Sequence, residues 1–207
     1  MKVLMINGSP HANGCTYTAL CHVAEALKEQ GIESEIVHIG AKPVGGCTAC
    51  GACRKTGKCA FDDGLIASIA EKMASADGLI VGSPVHYASV SGSLLGLLDR
   101  LWMTAGGVMR HKPAAAVVSA RRAGTTATLD ILHKYFSFAE MPIVSSFYWN
   151  MVHGSKSEDV DADVEGVQIM HRLGRNMAWL LSAIDAGRKA GIEPPAPEKR
   201  VSFNYVR

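Results

Sequence analysis

Short aliphatic runs alternate along the chain with segments in which apolar residues return every three or four positions. Val3 to Ile6 is a continuous apolar run cut off by Gly8-Ser9-Pro10, the pattern of a short strand buried on both faces. Leu20, Val23, Ala24 and Leu27 then fall at i, i+3, i+4 and i+7, which predicts a helix that Gly31 stops. A second strand, Glu35 to Ile39, ends in Gly40. A helix is expected from about Leu65 to Ala74, with Asp62 and Asp63 as candidate caps, leading into a third strand over Gly78 to Gly82 that Ser83-Pro84 ends. Leu94, Leu95, Leu97, Leu98, Leu101 and Trp102 give a helix with a broad apolar face. Strands four and five are predicted at Pro113 to Ser119 and Ile143 to Phe147, and Leu173, Met177, Leu180, Leu181 and Ile184 mark the last helix.

Strands alternating with helices predict an α/β three-layer sandwich around a five-stranded parallel sheet. Right-handed crossovers between neighbouring elements suit the strand order 2-1-3-4-5. The chain reads as a single domain over 1–207, with a cysteine-rich loop insertion at 43–61 and a C-terminal tail at 191–207. That tail, with Pro194, Pro195 and Pro197, is expected to pack on a surface or on a partner subunit. Ligands of such sheets bind beyond the carboxyl ends of the strands, which directs attention to the loops after strands one, three and four.

Composition narrows the function. With 48% hydrophobic and 19% charged residues, the 207-residue chain can bury a sizeable core. A net charge of +2 without a basic block gives a nucleic acid nothing to follow. Met1 to Ile6 is too short an apolar run for a signal peptide, and no stretch reaches the roughly 18 to 20 apolar residues of a membrane span. The expectation is a cytoplasmic protein with reduced thiols and no membrane partner.

Each of the three loops has its own chemistry. Gly8-Ser9-Pro10-His11-Ala12-Asn13-Gly14-Cys15-Thr16 opens onto a helix N-terminus, where free backbone N–H groups, the helix dipole and the hydroxyls of Ser9 and Thr16 suit a phosphate dianion. It has neither the Gly-Lys-Ser/Thr ending of a Walker loop nor Gly-x-Gly-x-x-Gly, and a capped turn that binds nothing is its plain structural alternative. Pro84-Val85-His86-Tyr87-Ala88-Ser89-Val90 sets an aromatic and many backbone donors around a fixed bend that can edge a flat heterocycle. Alternatively, Tyr87 is an ordinary half-buried aromatic and His86 a surface imidazole. In Ser119-Ala120-Arg121-Arg122-Ala123-Gly124-Thr125, two guanidinium groups can face an electron-rich ring or a dinucleotide phosphate, or simply be solvated.

Four of the six cysteines crowd together as Cys47-x2-Cys50-x2-Cys53-x5-Cys59. Four thiolates at this spacing suit a four-iron cluster, whereas structural zinc usually draws on two pairs set a dozen or more residues apart. An empty or disulfide-forming loop and a Cys-x-x-Cys dithiol are the other readings. Cys21 falls within the first helix, as a core residue.

In their order along the chain, the three loops resemble those of the flavodoxin-like NADPH-dependent FMN reductases, and the likeness covers nearly the whole sequence. It implies that Ser9, His11, Asn13, Gly14, Cys15 and Thr16 hold the FMN phosphate. It places Pro84 to Val90 along the isoalloxazine and Ser119, Ala120, Arg121, Arg122, Gly124 and Thr125 at its other edge. His11 stands where such proteins often carry Arg, Cys15 where Asn or Ser is usual, and Leu95 where Lys is common. The cysteine segment resembles the compact motif of iron–sulfur flavoproteins, which implies a 4Fe–4S cluster on Cys47, Cys50, Cys53 and Cys59 beside FMN. The resemblance further implies an oxidoreductase or electron-transfer flavoprotein fed by NAD(P)H or a ferredoxin-type partner. Two other readings stand beside it: a cluster-free NAD(P)H-dependent FMN or quinone reductase, and a flavin-binding module whose cysteines respond to oxidant or metal without turnover. The apolar helix from Leu94 to Trp102, the stretch Tyr148 to Gly154 and the tail together suggest a homodimer or homotetramer, with Trp149 a candidate cover for a neighbouring flavin.

Overall fold

A computed structural model describes residues 1–61, 64–199, 201, 203 and 205. Its sheet contains β1 (Lys2–Asn7), β2 (Glu33–His38), β3 (Gly78–His86), β4 (Ser89–Val90), β5 (Ala114–Ala120) and β6 (Met151–His153). Five of these run parallel in the spatial order β2-β1-β3-β5-β6, the order expected for a flavodoxin-like sheet, and β4 folds back antiparallel on β3 as a two-residue arm.

Continuous apolar strands make three layers because alternate side chains leave by opposite faces. Leu4, Ile6, Leu79, Val81, Ala116 and Val118 enter one core. There they meet α3 (Leu65–Ser75), α4 (Gly92–Ala105) and α5 (Thr125–Phe138) through residues such as Ile69, Leu97 and Phe136. Val3, Met5, Ile80, Ala115 and Val117 enter the other core, beneath α1 (Cys15–Glu29) and α7 (Val164–Lys189). Among the described residues there are also two short helices, α2 (Ala52–Thr56) in the cysteine segment and α6 (Ser157–Ala162) before α7, and a 3-10 turn over Gly106–Met109 after α4. No described helix is long and apolar enough to cross a membrane.

The structure corrects the sequence reading at several points. The fifth strand is not Ile143–Phe147. Around Ile143 the chain touches β5 only through an isolated bridge to Ala114, with Val144 N donating to Ala114 O at 2.8 Å. It then swings outward through a turn closed on the Ser146 hydroxyl and returns as β6 beside Val118 to Ala120. Two short segments thus share the edge of β5 that one strand was expected to fill. Nor does Ser83-Pro84 end the third strand. The β1 ladder stops at Gly82, so Pro84 pairs only with β5, and its missing N–H leaves no break between neighbouring strands. The apolar face of α4 is buried within the chain at Leu94, Leu97, Leu98 and Leu101, so these leucines belong to the chain's own core. The capping expected of Asp62 and Asp63 lies outside the described residues. In the tail, Pro195 to Lys199 line a cleft of about 840 Å³ together with Trp102, Gly106 and Arg110 of the same chain.

α1 and α7 pack closely because α7 has no side chain at Gly174. A Cβ there would stand 2.7 Å from the Ala26 Cβ and 2.8 Å from the Val23 carbonyl oxygen. Gly174→Ala is therefore expected to destabilise the protein by about 1–3 kcal/mol through overpacking. A lower urea midpoint with an unchanged slope would show this, and an unchanged midpoint would mean that the two helices separate freely.

Candidate functional site

The loops after β1, β3 and β5 meet at the carboxyl edge of the sheet, and the bonds that join them cross large sequence separations. Asn7, fully buried at the end of β1, accepts from Ser9 N through Oδ1 at 3.1 Å and donates through Nδ2 to Ala12 O at 3.1 Å, curling the first loop over itself. The Ser9 hydroxyl then accepts from His11 N, and the His38 ring at the end of β2 reaches Ser9 O at 2.8 Å. Thr16 and Ser119, both buried, share a hydroxyl–hydroxyl bond of 2.8 Å that ties the start of α1 to the end of β5. Ser91 donates to Gly8 O at 2.7 Å, closing the β3 arm onto the first loop.

This loop leads into a helix start that is open to a ligand. Gly14 caps α1 with extended backbone and no side-chain bond, and the first intrahelical contact is Thr18 N to Gly14 O. The N–H groups of the first turn and the positive end of the dipole thus face the loop without a side-chain partner at the cap. Burial pushes the Cys15 thiol up from its ordinary range, and the charges of Asp159 and Glu158 add to the effect, so the residue at this position stays neutral near pH 7.

The second loop is a tight hairpin. Val85 pairs with Val90 and His86 with Ser89, and the two residues at its tip, Tyr87 and Ala88, take φ of 52° and 57°. Two non-glycine residues in the left-handed region form a strained turn, which leaves the Tyr87 side chain fully exposed at the mouth of the site. Gly124, at φ 102°, lies against this tip. A Cβ on Gly124 would be 2.8 Å from the Ala88 Cα, so the third loop touches the second at a position that only glycine can occupy.

The structure brings together the residues expected from the sequence, at different depths. Ser9, Thr16, Val90, Ser119, Ala120 and Thr125 are buried, and Gly14, Cys15, Pro84, Val85, Ser89 and Gly124 are half-buried. His11, Asn13, His86, Tyr87, Ala88, Arg121 and Arg122 face solvent around the rim. Phe147, Tyr148 and Trp149 are each about half exposed on the excursion before β6, with the last two rings packed edge to face at 4.8 Å.

A pocket lies along α4. All four clustered thiols, Cys47, Cys50, Cys53 and Cys59, are free and line it, with Arg100 and Met103 opposite. The segment turns back on itself through left-handed residues at Ala49, Gly51 and Gly57. α4 seats it: the Ser93 hydroxyl accepts from Val44 N, and at Gly96 an added Cβ would meet Val44 O at 2.5 Å. Arg100, 8% exposed, donates from Nε to Cys59 Sγ at 3.3 Å and from Nη2 to Phe61 O at 2.5 Å. Arg100, Asn7 and Gly96 were missed in the sequence reading. Arg100 carried a signal all the same, as a charge set among Leu97, Leu98 and Leu101 on an apolar helix.

The family model for NADPH-dependent FMN reductase matches residues 1–156, which span all three loops and the thiol pocket. The chain belongs to the NADPH-dependent FMN reductase family. It is therefore a flavoprotein of an oxidoreductase family. Two curated relatives bear the name iron–sulfur flavoprotein. One, from Methanocaldococcus jannaschii, is 32% identical over 192 residues, which cover 89% of this chain and 99% of the relative. The other, from Methanosarcina thermophila, is 30% identical over 193 residues, which cover 91% of this chain and 99% of the relative. Among solved structures the fold is shared with RosB, determined with bound 8-demethyl-8-formylriboflavin-5'-phosphate, at a TM-score of 0.70 and 13% identity over 100% of this chain and 92% of that one. It is shared too with an NAD(P)H:quinone oxidoreductase of Methanothermobacter marburgensis, at a TM-score of 0.65 and 17% identity over 86% of this chain and 96% of that one.

Within this flavoprotein the six thiols differ in accessibility. Cys47 and Cys50 are exposed, whereas burial pushes the Cys15 and Cys21 thiols up. In metal-free protein at mildly alkaline pH, iodoacetamide is expected to modify Cys47 and Cys50 first and Cys15 and Cys21 last, as peptide mass mapping would read. Early modification of Cys15 would contradict the environment described for the start of α1.

Proposed function

We propose that this flavoprotein is an FMN-dependent oxidoreductase that works as an electron-transfer protein, with a 4Fe–4S cluster held by Cys47, Cys50, Cys53 and Cys59. The observation that carries this reading is that α4 joins the edge where the three loops meet to the thiol pocket. Its start is tied to the first loop by Ser91, and its middle is tied to the thiol pocket by Gly96 and Arg100. With a rise of 1.5 Å per residue, Ser91 and Arg100 stand about 13 Å apart along the helix.

The edge of the sheet fits FMN in two respects: the uncapped start of α1 suits its phosphate, and the strained hairpin suits its ring. Ser9, Thr16 and the backbone from His11 to Cys15 would hold the phosphate. Pro84 to Val90 on one side and Ser119 to Thr125 on the other would hold the isoalloxazine, with Arg121 and Arg122 placed at the rim for the phosphates of NAD(P)H. FMN supplies hydride and one-electron chemistry when bound, so the chain needs no acid or base of its own and its residues position, desolvate and gate.

For the thiol pocket, the fit favours a group larger than one ion. Tetrahedral zinc with Zn–S near 2.3 Å requires thiolates about 3.8 Å apart. Among the described residues, no three of the four thiols stand within 4.8 Å of one another, and none of the four is in a disulfide. A cluster there would supply a one-electron port, and the exposed face of Cys47 and Cys50 would be where a ferredoxin-type partner docks.

Protein purified without oxygen is expected to show flavin bands and about four irons per chain. Cys59→Ser should lose most of the iron while keeping the flavin. Flavin without iron in the unaltered protein would leave a cluster-free NAD(P)H-dependent FMN or quinone reductase. Flavin that no nicotinamide or reduced ferredoxin bleaches would leave a binding module without turnover, and absence of flavin after FMN is added would overturn the reading altogether.

A further inference from the structure

On the far side of the sheet from the thiols, α1, α6 and α7 bring together a second set of groups with ligating chemistry. His22 and Glu25 stand one turn apart on α1, and His171 reaches across from α7. Glu25 Oε2 lies 4.0 Å from His22 Nδ1 and 3.7 Å from His171 Nε2, and one ligand atom from each of the three residues falls within 4.8 Å of the others. The imidazoles are about a fifth exposed, and their centroids lie 5.6 Å apart. Neither the flavin edge nor the thiol pocket uses any of these residues.

The decisive contact is on the other side of the His22 ring. His22 Nε2 lies 2.9 Å from Asp161 Oδ1 on α6. The carboxylate is a ready acceptor, so the proton belongs on Nε2 and the lone pair on Nδ1, the atom that faces Glu25. A carboxylate that fixes the tautomer of a ligating histidine from behind is the recurrent outer support of protein metal sites. We infer that His22, Glu25 and His171 bind a divalent transition-metal cation of the zinc class, with Asp161 as the positioning residue. Two nitrogens and one oxygen are a ligand set that suits such a cation, and the bond lengths place tetrahedral ligands about 3.4 Å apart. The two Glu25 separations close to that value by shifts of about 0.3 and 0.6 Å, within reach of the Glu25 side chain, which is 63% exposed. His22, Glu25 and Asp161 line a groove of about 940 Å³ together with Thr18, Cys21 and Lys28, from which water or a small anion would complete the coordination. An ion there would cross-link α1 to α7 on the helix that carries the first loop.

The test is calorimetric titration of zinc chloride into the full chain loaded with its flavin and cluster, near neutral pH. One equivalent is expected to bind, and His171→Ala and His22→Gln are each expected to weaken it at least about tenfold. Asp161→Asn, which touches no ion, should weaken it by about 10–100-fold and should be the variant that also broadens the His22 ring signals in NMR. Because His22 and His171 are partly buried, the metal-free melting temperatures of all three variants provide the check on folding. No binding up to about 1 mM zinc would overturn the inference. So would binding that is the same in His171→Ala as in the parent, since the ion would then lie elsewhere. Neither result would bear on the flavin or the cluster, which are measured by absorbance and iron content.

Discussion

The hydrogen bond from Gly8 N to Gly82 O, 2.9 Å long, carries the pairing of β1 and β3 one residue past the end of β1, and the binding edge depends on it. Neither residue tolerates a side chain. A Cβ on Gly8 would be 2.8 Å from Leu94 Cγ and 2.9 Å from the Gly82 carbonyl oxygen, and one on Gly82 would be 2.9 Å from Thr16 Cγ2. Because these backbones meet, Thr16 can reach Ser119 and Ser91 can reach Gly8, so that three loops far apart in sequence share one rim. Strand ends that splayed by even a methyl group would separate the helix start from the hairpin that faces it.

From this junction the architecture extends along α4. The helix begins at the rim, buries its leucines in the sheet, and presents Gly96 and Arg100 to the cysteine segment. That segment contributes little apolar surface of its own, and Cys47 and Cys50 are exposed, so its shape rests on the Ser93 and Arg100 contacts and on left-handed turns. The buried guanidinium thus places a fixed positive charge beside the pocket that the four thiols line.

Much of this was legible in the sequence, for definite physical reasons. Strands buried on both faces read as unbroken apolar runs, and the handedness of crossovers then fixes their order, so Val3 to Ile6, Gly78 to Gly82 and Pro113 to Ser119 located the sheet and hence the loops. Ile143 to Phe147 reads as a further strand, but it is interrupted by Ser145 and Ser146 and only Val144 in it is buried, while the pairing of Met151 to His153 is decided by the free edge of β5. Close approaches leave no pattern along the chain either: Gly96 beneath Val44 and Gly174 beside Val23 are visible only once the helices are placed. The same holds for His22 and His171, which are 149 positions apart and meet only because α7 lies across α1.

The central claim is that the start of α1 is a phosphate site and that the flavin is therefore held as its 5'-phosphate. Equilibrium binding of FMN and of riboflavin to the flavin-free chain compares ligands that differ only in that group. Two or more charge-assisted hydrogen bonds at roughly 1.5–3 kcal/mol each predict that FMN binds at least about 100-fold more tightly than riboflavin. Equal affinities would contradict the account, because the uncapped helix and the loop that Asn7 shapes would then contribute nothing to holding the cofactor.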